Sequence, residues 1–182
     1  NTSVTKTDVG RALANEGKRA ALAAKGKTTR WAEMQHGIYD RLVFAKVRDG
    51  FGGRLRYSIS GGAAISVEVA EFISALGMTV YEGYGLTETS PVAAANTPSY
   101  RRVGSIGKEI PGVRIEIDRE VTGDSEIGEI IIHGPNVMLG YYNLPEENEK
   151  ALTPQRGFRS GDLGYRDEDG FLYVRGRIKE QY

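Results

Sequence analysis

Apolar and polar residues alternate from Leu55 to Ile59, a β-rich stretch that predicts a strand running into Ser60-Gly61-Gly62-Ala63-Ala64. The period then changes. Between Ser66 and Leu76, Val69, Ile73 and Leu76 share a helical face, Ser66 suits the N-cap, Glu68 the first turn and Gly77 the C-terminal stop. A second strand is predicted from Met78 to Glu82. Strand, helix and strand in this order make a βαβ unit, whose right-handed crossover leaves the two strands parallel and both following loops at one carboxyl edge. Open α/β sheets bind ligands at that edge, so the glycine-rich loop at 60–64 and the loop after Glu82 are expected to be neighbours. Upstream, alanine-rich Val9–Ala24 predicts one helix, and Thr29–Arg48 a second with Trp31, Met34, Ile38 and Leu42 on its apolar side, ending at Asp49-Gly50.

Downstream the pattern is different. Residues 91–107 carry no strong periodicity and form a long connection, which in a compact domain usually serves binding. Pro111-Gly112 marks a turn, after which Val113, Ile115 and Ile117 alternate with Arg114, Glu116 and Asp118 as a strand with one wet face. Thr122-Gly123-Asp124 turns the chain into a more fully apolar strand, Gly128 to His133. Pro145 followed by Glu146, Glu147 and Glu149 opens a short helix running to Leu152. Leu163–Arg166 and Phe171–Val174 flank Asp169-Gly170, a hairpin signal. The fold class is therefore α/β: a helical lead-in and parallel βαβ part over 1–110, then a mainly antiparallel β subdomain over 111–182.

Composition narrows the function classes. With 40% hydrophobic and 26% charged residues the 182-residue chain reads as a soluble globular protein, and no apolar run approaches the roughly 18 residues of a membrane span. A cytoplasmic protein is expected, peripheral to a membrane at most in its parent. The absence of cysteine excludes disulfides and thiolate metal sites, and His36 and His133 are too far apart in sequence to suggest zinc. Net charge is zero but uneven: Asn1 to Arg56 holds 12 Lys/Arg against 5 Asp/Glu, and the remainder 12 against 19. The basic part lacks interleaved aromatics, so a solvated helical face is expected there and no nucleic-acid partner. Gly26-Lys27-Thr28 is not a Walker phosphate loop, because Ala21 stands where that motif needs glycine.

The candidate chemistry centres on Tyr81-Glu82-Gly83-Tyr84-Gly85-Leu86-Thr87-Glu88-Thr89-Ser90-Pro91. Two glycines flank a tyrosine, so the backbone can approach a ligand while an aromatic face is offered for stacking. Thr87 suits a phosphate oxygen and Glu88 a hard cation such as magnesium. In Ser160-Gly161-Asp162-Leu163-Gly164, Asp162 sits between glycine-flanked turns and could accept two hydrogen bonds from vicinal ribose hydroxyls, although an Asp beside Gly is ordinarily a turn residue. Gly176-Arg177-Ile178-Lys179-Glu180 offers two cations suited to phosphate, or simply a solvated surface.

Five blocks in order resemble the adenylate-forming superfamily of acyl-CoA synthetases, luciferases and peptide-synthetase adenylation domains. They are Tyr57–Ala63, the YEGYGLTETSP run, Gly128-Glu129-Ile130 leading into Gly134–Tyr142, SGDLG at 160–164 and GRIKE at 176–180, and they span Tyr57 to Glu180, about two thirds of the chain. Arg41–Ala63, the ETSP ending and the RGRIKEQY ending are most similar to long-chain fatty acid:CoA ligases. The resemblance implies that Gly61, Gly62 and Ala63 border the adenine of ATP or AMP and that Glu82, Gly83 and Tyr84 hold it, with the tyrosine ring stacked on the base. It implies Thr87 at the α-phosphate, Glu88 on magnesium, Asp162 on both ribose hydroxyls, Arg177 on ribose or phosphate, and Lys179 as the hinge to a C-terminal domain.

The implied reaction joins a long-chain carboxylate to the α-phosphate, releases pyrophosphate, and passes the acyl group to coenzyme A. The superfamily's phosphate loop ending Pro-Lys-Gly has no counterpart in the 182 residues, and the domain carrying its adenylation lysine would begin just after Tyr182. The chain is therefore expected to be a piece of the large N-terminal domain ending at the hinge, inactive alone. A stand-alone, non-catalytic nucleotide-binding module and an adenylating enzyme for another carboxylate are the alternatives.

Overall fold

The computed structural model describes residue 34, residues 43–62 and residues 65–178. The helix expected over Val9–Ala24 and most of that over Thr29–Arg48 lie outside these residues, as do Ala63 and Lys179. Met34 is helical but 58% exposed rather than on a buried side, an ordinary position for a single apolar residue. The chain divides into two compact units, residues 1–58 with 68–80, and residues 59–67 with 81–182.

In the first unit, α1 (Ala45–Gly50) stops where sequence placed the stop. Gly52 and Gly53 follow with positive φ, and their amides donate to the carbonyls of Asp49 and Arg48. Helix α2 (Val67–Ala75) and the beginnings of β1 (Tyr57–Ser60) and β2 (Thr79–Tyr84) complete the predicted strand–helix–strand order. Gly77, at φ 77°, ends α2 as expected: its amide donates to Ser74 and that of Met78 to Ile73, satisfying carbonyls the last turn leaves open. The buried core is Val43, Phe44, Leu76 and Met78, with Val47, Phe72 and Ile73 packed on it. The inward stripe of α2 is Ala70, Ile73 and Leu76 at spacing three; Val69, assigned to that face from sequence, stands on the flank at 46% exposure.

The second unit carries the rest. One sheet has the order β1-β2-β3-β4, with β3 at Ala94–Ala95 and β4 at Lys108–Glu109. β2, β3 and β4 pair antiparallel, which leaves β1 and β2 as the parallel part. The other sheet is an antiparallel meander of β5 (Arg114–Asp118), β6 (Gly128–His133), β7 (Phe158–Arg166) and β8 (Leu172–Arg177), with α3 (Pro145–Ala151) between β6 and β7. β7 and β8 are longer than the predicted hairpin arms, so Asp162 lies in a strand rather than between turns. The glycines around it serve an irregular strand instead: Gly161 has φ 70°, and the pairing with β8 shifts register between Leu163 and Gly164.

Ala93, Ala94, Ile115, Ile130, Ile132 and Leu172 form one buried cluster shared by the two sheets. Gly107 joins them through the backbone, because Leu172 donates to its carbonyl at 2.9 Å while Ile106 donates to that of Leu172 at 2.9 Å. Arg166 of β7 reaches β4 with both terminal nitrogens on the carboxylate of Glu109, at 3.0 and 2.5 Å, and donates to the Ile115 carbonyl at 2.8 Å. Burial works against ionising Glu109, but Arg166 and backbone donors outweigh it and hold the carboxyl below its usual range.

Gly107 allows no side chain. It has φ 82°, and a Cβ there would lie 2.0 Å from the backbone of Ala95. Gly107→Ala is expected to destabilise the protein by roughly 2–4 kcal/mol, from left-handed strain plus overpacking. Chemical denaturation checks this; an unchanged midpoint would show that residue 107 and β3 part without cost.

Candidate functional site

The YEGYGLTETSP loop begins inside β2 and is shaped by contacts within itself. A Cβ on Gly85 would lie 1.9 Å from the Pro91 carbonyl oxygen, so the loop closes only with glycine there. Thr89, fully buried, takes a hydrogen bond from the Leu86 amide at 2.9 Å and returns one to the Leu86 carbonyl at 3.0 Å, which sets a 3-10 turn at Thr87–Thr89. Ser90 then turns the chain at φ 53°, and the Ala93 amide bonds the Tyr84 carbonyl at 2.8 Å. From outside, Asn136 donates to the carbonyls of Thr89 and Val92 at 3.0 and 2.9 Å, and the Met138 amide to that of Glu88 at 2.8 Å.

This arrangement frames two adjoining clefts. The first, about 300 Å³, is lined by Gly62, Glu82, Gly83, Tyr84, Asp162 and Arg177 among others. The second shares Gly62, Gly83 and Tyr84 and adds Gly61, Thr87 and Glu88. Every candidate site residue within the described part of the chain thus lines one cleft or the other, and the loops at 60–62 and 82–88 are neighbours as expected. A Cβ on Gly61 would touch the Gly83 carbonyl at 3.5 Å.

Asp162 is the electrostatic centre of the first cleft. Its side chain is 13% exposed and lies opposite Arg177 in the β7–β8 ladder; Arg177 Nε is 3.1 Å from Oδ1, and the Tyr84 hydroxyl donates to Oδ2 at 2.6 Å. Ser160 fixes the backbone beneath, accepting from the Asp162 amide at 3.0 Å and donating to the Ile130 carbonyl at 2.7 Å. Each carboxylate oxygen has a second lone pair, so Asp162 retains acceptor capacity. Burial, then the bond to Asp162, pushes the Tyr84 hydroxyl well above its usual range, so it remains a donor. Glu82 is buried and accepts from the Gly104 amide at 3.0 Å. Burial raises its pKa, an effect only partly offset by that amide and by Arg101.

In the second cleft the Thr87 side chain is exposed and has no hydrogen-bond partner among the described residues. Glu88 accepts from the Tyr141 hydroxyl at Oε1, at 2.8 Å, while Oε2 has no partner among the described residues. Sequence reasoning assigned no role to Thr89, Asn136, Ser160 or Tyr141, since nothing in their spacing says which carbonyl or carboxylate they meet in space.

The family model described as "AMP-binding enzyme" matches residues 9–142. The chain belongs to that family. Curated relatives of this AMP-binding chain include the long-chain-fatty-acid–CoA ligase FadD15 of Mycobacterium bovis, 36% identical over 180 residues, covering 92% of this chain and 29% of the relative. The palmitoyl-CoA ligase FUM16 of Gibberella moniliformis is 35% identical over 167 residues, covering 87% and 25%. Among solved structures, apo MatB of Rhodopseudomonas palustris matches at TM-score 0.65 and 31% identity, covering 80% of this chain and 30% of that one. The O-succinylbenzoate coenzyme A synthetase MenE of Bacillus subtilis, in complex with ATP and magnesium ion, matches at 0.61 and 35%, covering 68% and 27%. The chain thus spans less than a third of these relatives.

Glu82 supplies a test of the site's electrostatics. Its folded pKa is raised, so ionisation costs stability as pH rises through the unfolded value near 4.3 and above it. Glu82→Gln keeps an acceptor for the Gly104 amide without the charge. Its thermal midpoint is expected to exceed that of the parent at pH 7, with the difference vanishing below about pH 4. An equal midpoint at both pH values would show Glu82 to be adequately solvated.

Proposed function

We propose that this chain supplies the nucleotide half of the active site of an AMP-forming long-chain fatty acid:CoA ligase. One observation carries the reading: an aromatic face, a carboxylate fixed between two partners and glycine backbone line one cleft, and a hydroxyl and a carboxylate line the next. Those are the groups that a base, a ribose and a magnesium-bound phosphate require, in that order along a nucleotide. The names of the relatives support fatty acid and coenzyme A as the co-substrates.

In this reading Gly61, Gly62 and Ala63 border the adenine, Glu82 and Gly83 hold its edge, and the Tyr84 ring stacks on its face. Asp162 accepts both ribose hydroxyls on the lone pairs left by Tyr84 and Arg177, and Arg177 reaches ribose or phosphate. The Thr87 hydroxyl donates to an α-phosphate oxygen, and Lys179 serves as the hinge. The fatty carboxylate oxygen bonds to the α-phosphorus as the bond to the β-phosphate oxygen breaks, releasing pyrophosphate. The coenzyme A sulfur then bonds to the acyl carbon as that carbon's bond to the phosphate oxygen breaks; AMP leaves and the thiol proton passes to water. Donors held in place against the phosphate stabilise charge as it develops without having to reorganise.

Glu88 fits a magnesium ion delivered with the nucleotide. The described residues contain no cluster of three metal-ligating side chains, so at this position they offer one carboxylate oxygen and no cage. Magnesium is commonly held in just this way, by one or two carboxylates with phosphate oxygens and water completing the shell. When bound there it would neutralise phosphate charge. A cytoplasmic location belongs to the same reading; among the described residues no helix is long and apolar enough to cross a membrane.

Pyrophosphate exchange into ATP by the full-length protein, across carboxylic acids of increasing length, tests the proposal. Exchange peaking with long chains is the expected result. No exchange with any acid from a folded protein that still binds ATP would assign a non-catalytic nucleotide-binding module instead. Asp162→Ala is expected to weaken ATP binding by roughly 1.5–3 kcal/mol, at least tenfold in Kd. Unchanged affinity by calorimetry would remove Asp162 from the ribose site.

A further inference from the structure

Tyr141 has no part in the roles above, yet its hydroxyl donates to Oε1 of Glu88 at 2.8 Å. Its backbone is gripped as well. Asn148 in α3 accepts from the Tyr141 amide at 2.6 Å and donates to the Tyr141 carbonyl at 3.1 Å. Gly140 makes room for that grip: it has φ 145°, and a Cβ there would lie 2.9 Å from Oδ1 of Asn148. A few residues earlier, Met138 and Asn136 hold the backbone around Glu88. The segment from Asn136 to Asn148 thus fixes both main chain and side chain of one carboxylate while leaving its other oxygen unpartnered among the described residues.

We propose that Tyr141 is a positioning residue, which holds the Glu88 carboxylate so that its second oxygen faces a divalent cation carried in by the nucleotide. The inference rests on the reading of Glu88 as the magnesium carboxylate. A glutamate left to itself samples several rotamers and must be ordered when the cation arrives; a phenol on one oxygen does that ordering beforehand. A carboxylate has about four lone-pair sites, so one phenol does not fill it. Partners that orient a metal ligand commonly govern affinity for the metal itself. Burial, and then the Glu88 carboxylate, raises the pKa of the Tyr141 hydroxyl, which therefore donates at neutral pH.

The test is Tyr141→Phe in the full-length protein, which removes only the phenolic oxygen. Binding of Mn²⁺ in the presence of ATP, followed by the electron paramagnetic resonance signal of the free ion, is expected to weaken about tenfold. The Mg²⁺ concentration for half-maximal pyrophosphate exchange should rise by a similar factor, with little change in the exchange rate at saturating Mg²⁺. Asn148→Ala, which loosens the Tyr141 backbone, should shift both in the same direction and carries the test if Tyr141→Phe does not fold. In a Glu88→Gln background, Tyr141→Phe should change nothing further.

A Mn²⁺ constant equal to that of the parent would overturn the proposal, and so would a tighter one, since the phenol would then be competing with the cation. In either case, intact exchange by the parent leaves the ligase reading standing. Absence of both exchange and an ATP-dependent Mn²⁺ site in the parent overturns that reading and this inference together.

Discussion

In the candidate site two stretches of backbone pass close to each other. At Gly85 the chain passes the Pro91 carbonyl so tightly that even a methyl group would overlap it. That contact lets residues 85–92 fold back on themselves, and the result is sealed by the bond from Ala93 to Tyr84. Tyr84 and Glu88, four residues apart, are thereby presented to adjoining clefts. Thr89 sustains the turn from inside and Asn136 from outside. Without the close pass at Gly85 none of these partners would be in reach.

Asp162 is a point at which the two sheets of the candidate site are tied together. Tyr84 comes from one sheet and Arg177 from the other, and both meet the same carboxylate. The bidentate Arg166–Glu109 contact and the backbone bonds at Gly107 join the same two sheets. Several independent ties of this kind keep the carboxylate, the aromatic ring and the loop from drifting apart. A ligand entering such a cleft loses little affinity to ordering the protein.

Much of this was legible in the sequence because local chemistry and tertiary structure agree. Pro145 at a helix start, Gly77 at a helix stop and the alternation of Val113 to Asp118 each carry their own physical reason, and the elements formed there within a residue or two. The residues that line the two clefts were legible because glycine, hydroxyl and carboxylate types crowd into a few short runs. Val69 was misplaced because a short helix with two valines beside its other apolar residues admits more than one apolar stripe, and tertiary packing chose the one through Ala70. Asp162 was read into a turn because glycines on both sides look the same in a turn and in a bulged strand. The partners of the loop, Asn136 and Tyr141, lie some 44 to 53 residues away from it and carry no local signal of whom they meet.

The closure of the 85–92 loop bears on how such chains can diverge. Its two ends are fixed to each other by a backbone bond, and its interior touches itself at Gly85, so inserting or deleting one residue would break the ring that presents Glu88. The turn at Thr122–Glu126 is the opposite case. It is largely exposed, and its bonds stay within itself and the adjoining Arg119 and Ile127. Length variation among descendants of this chain should therefore collect at the outer edge of the second sheet, while the loop between β2 and β3 keeps a constant count.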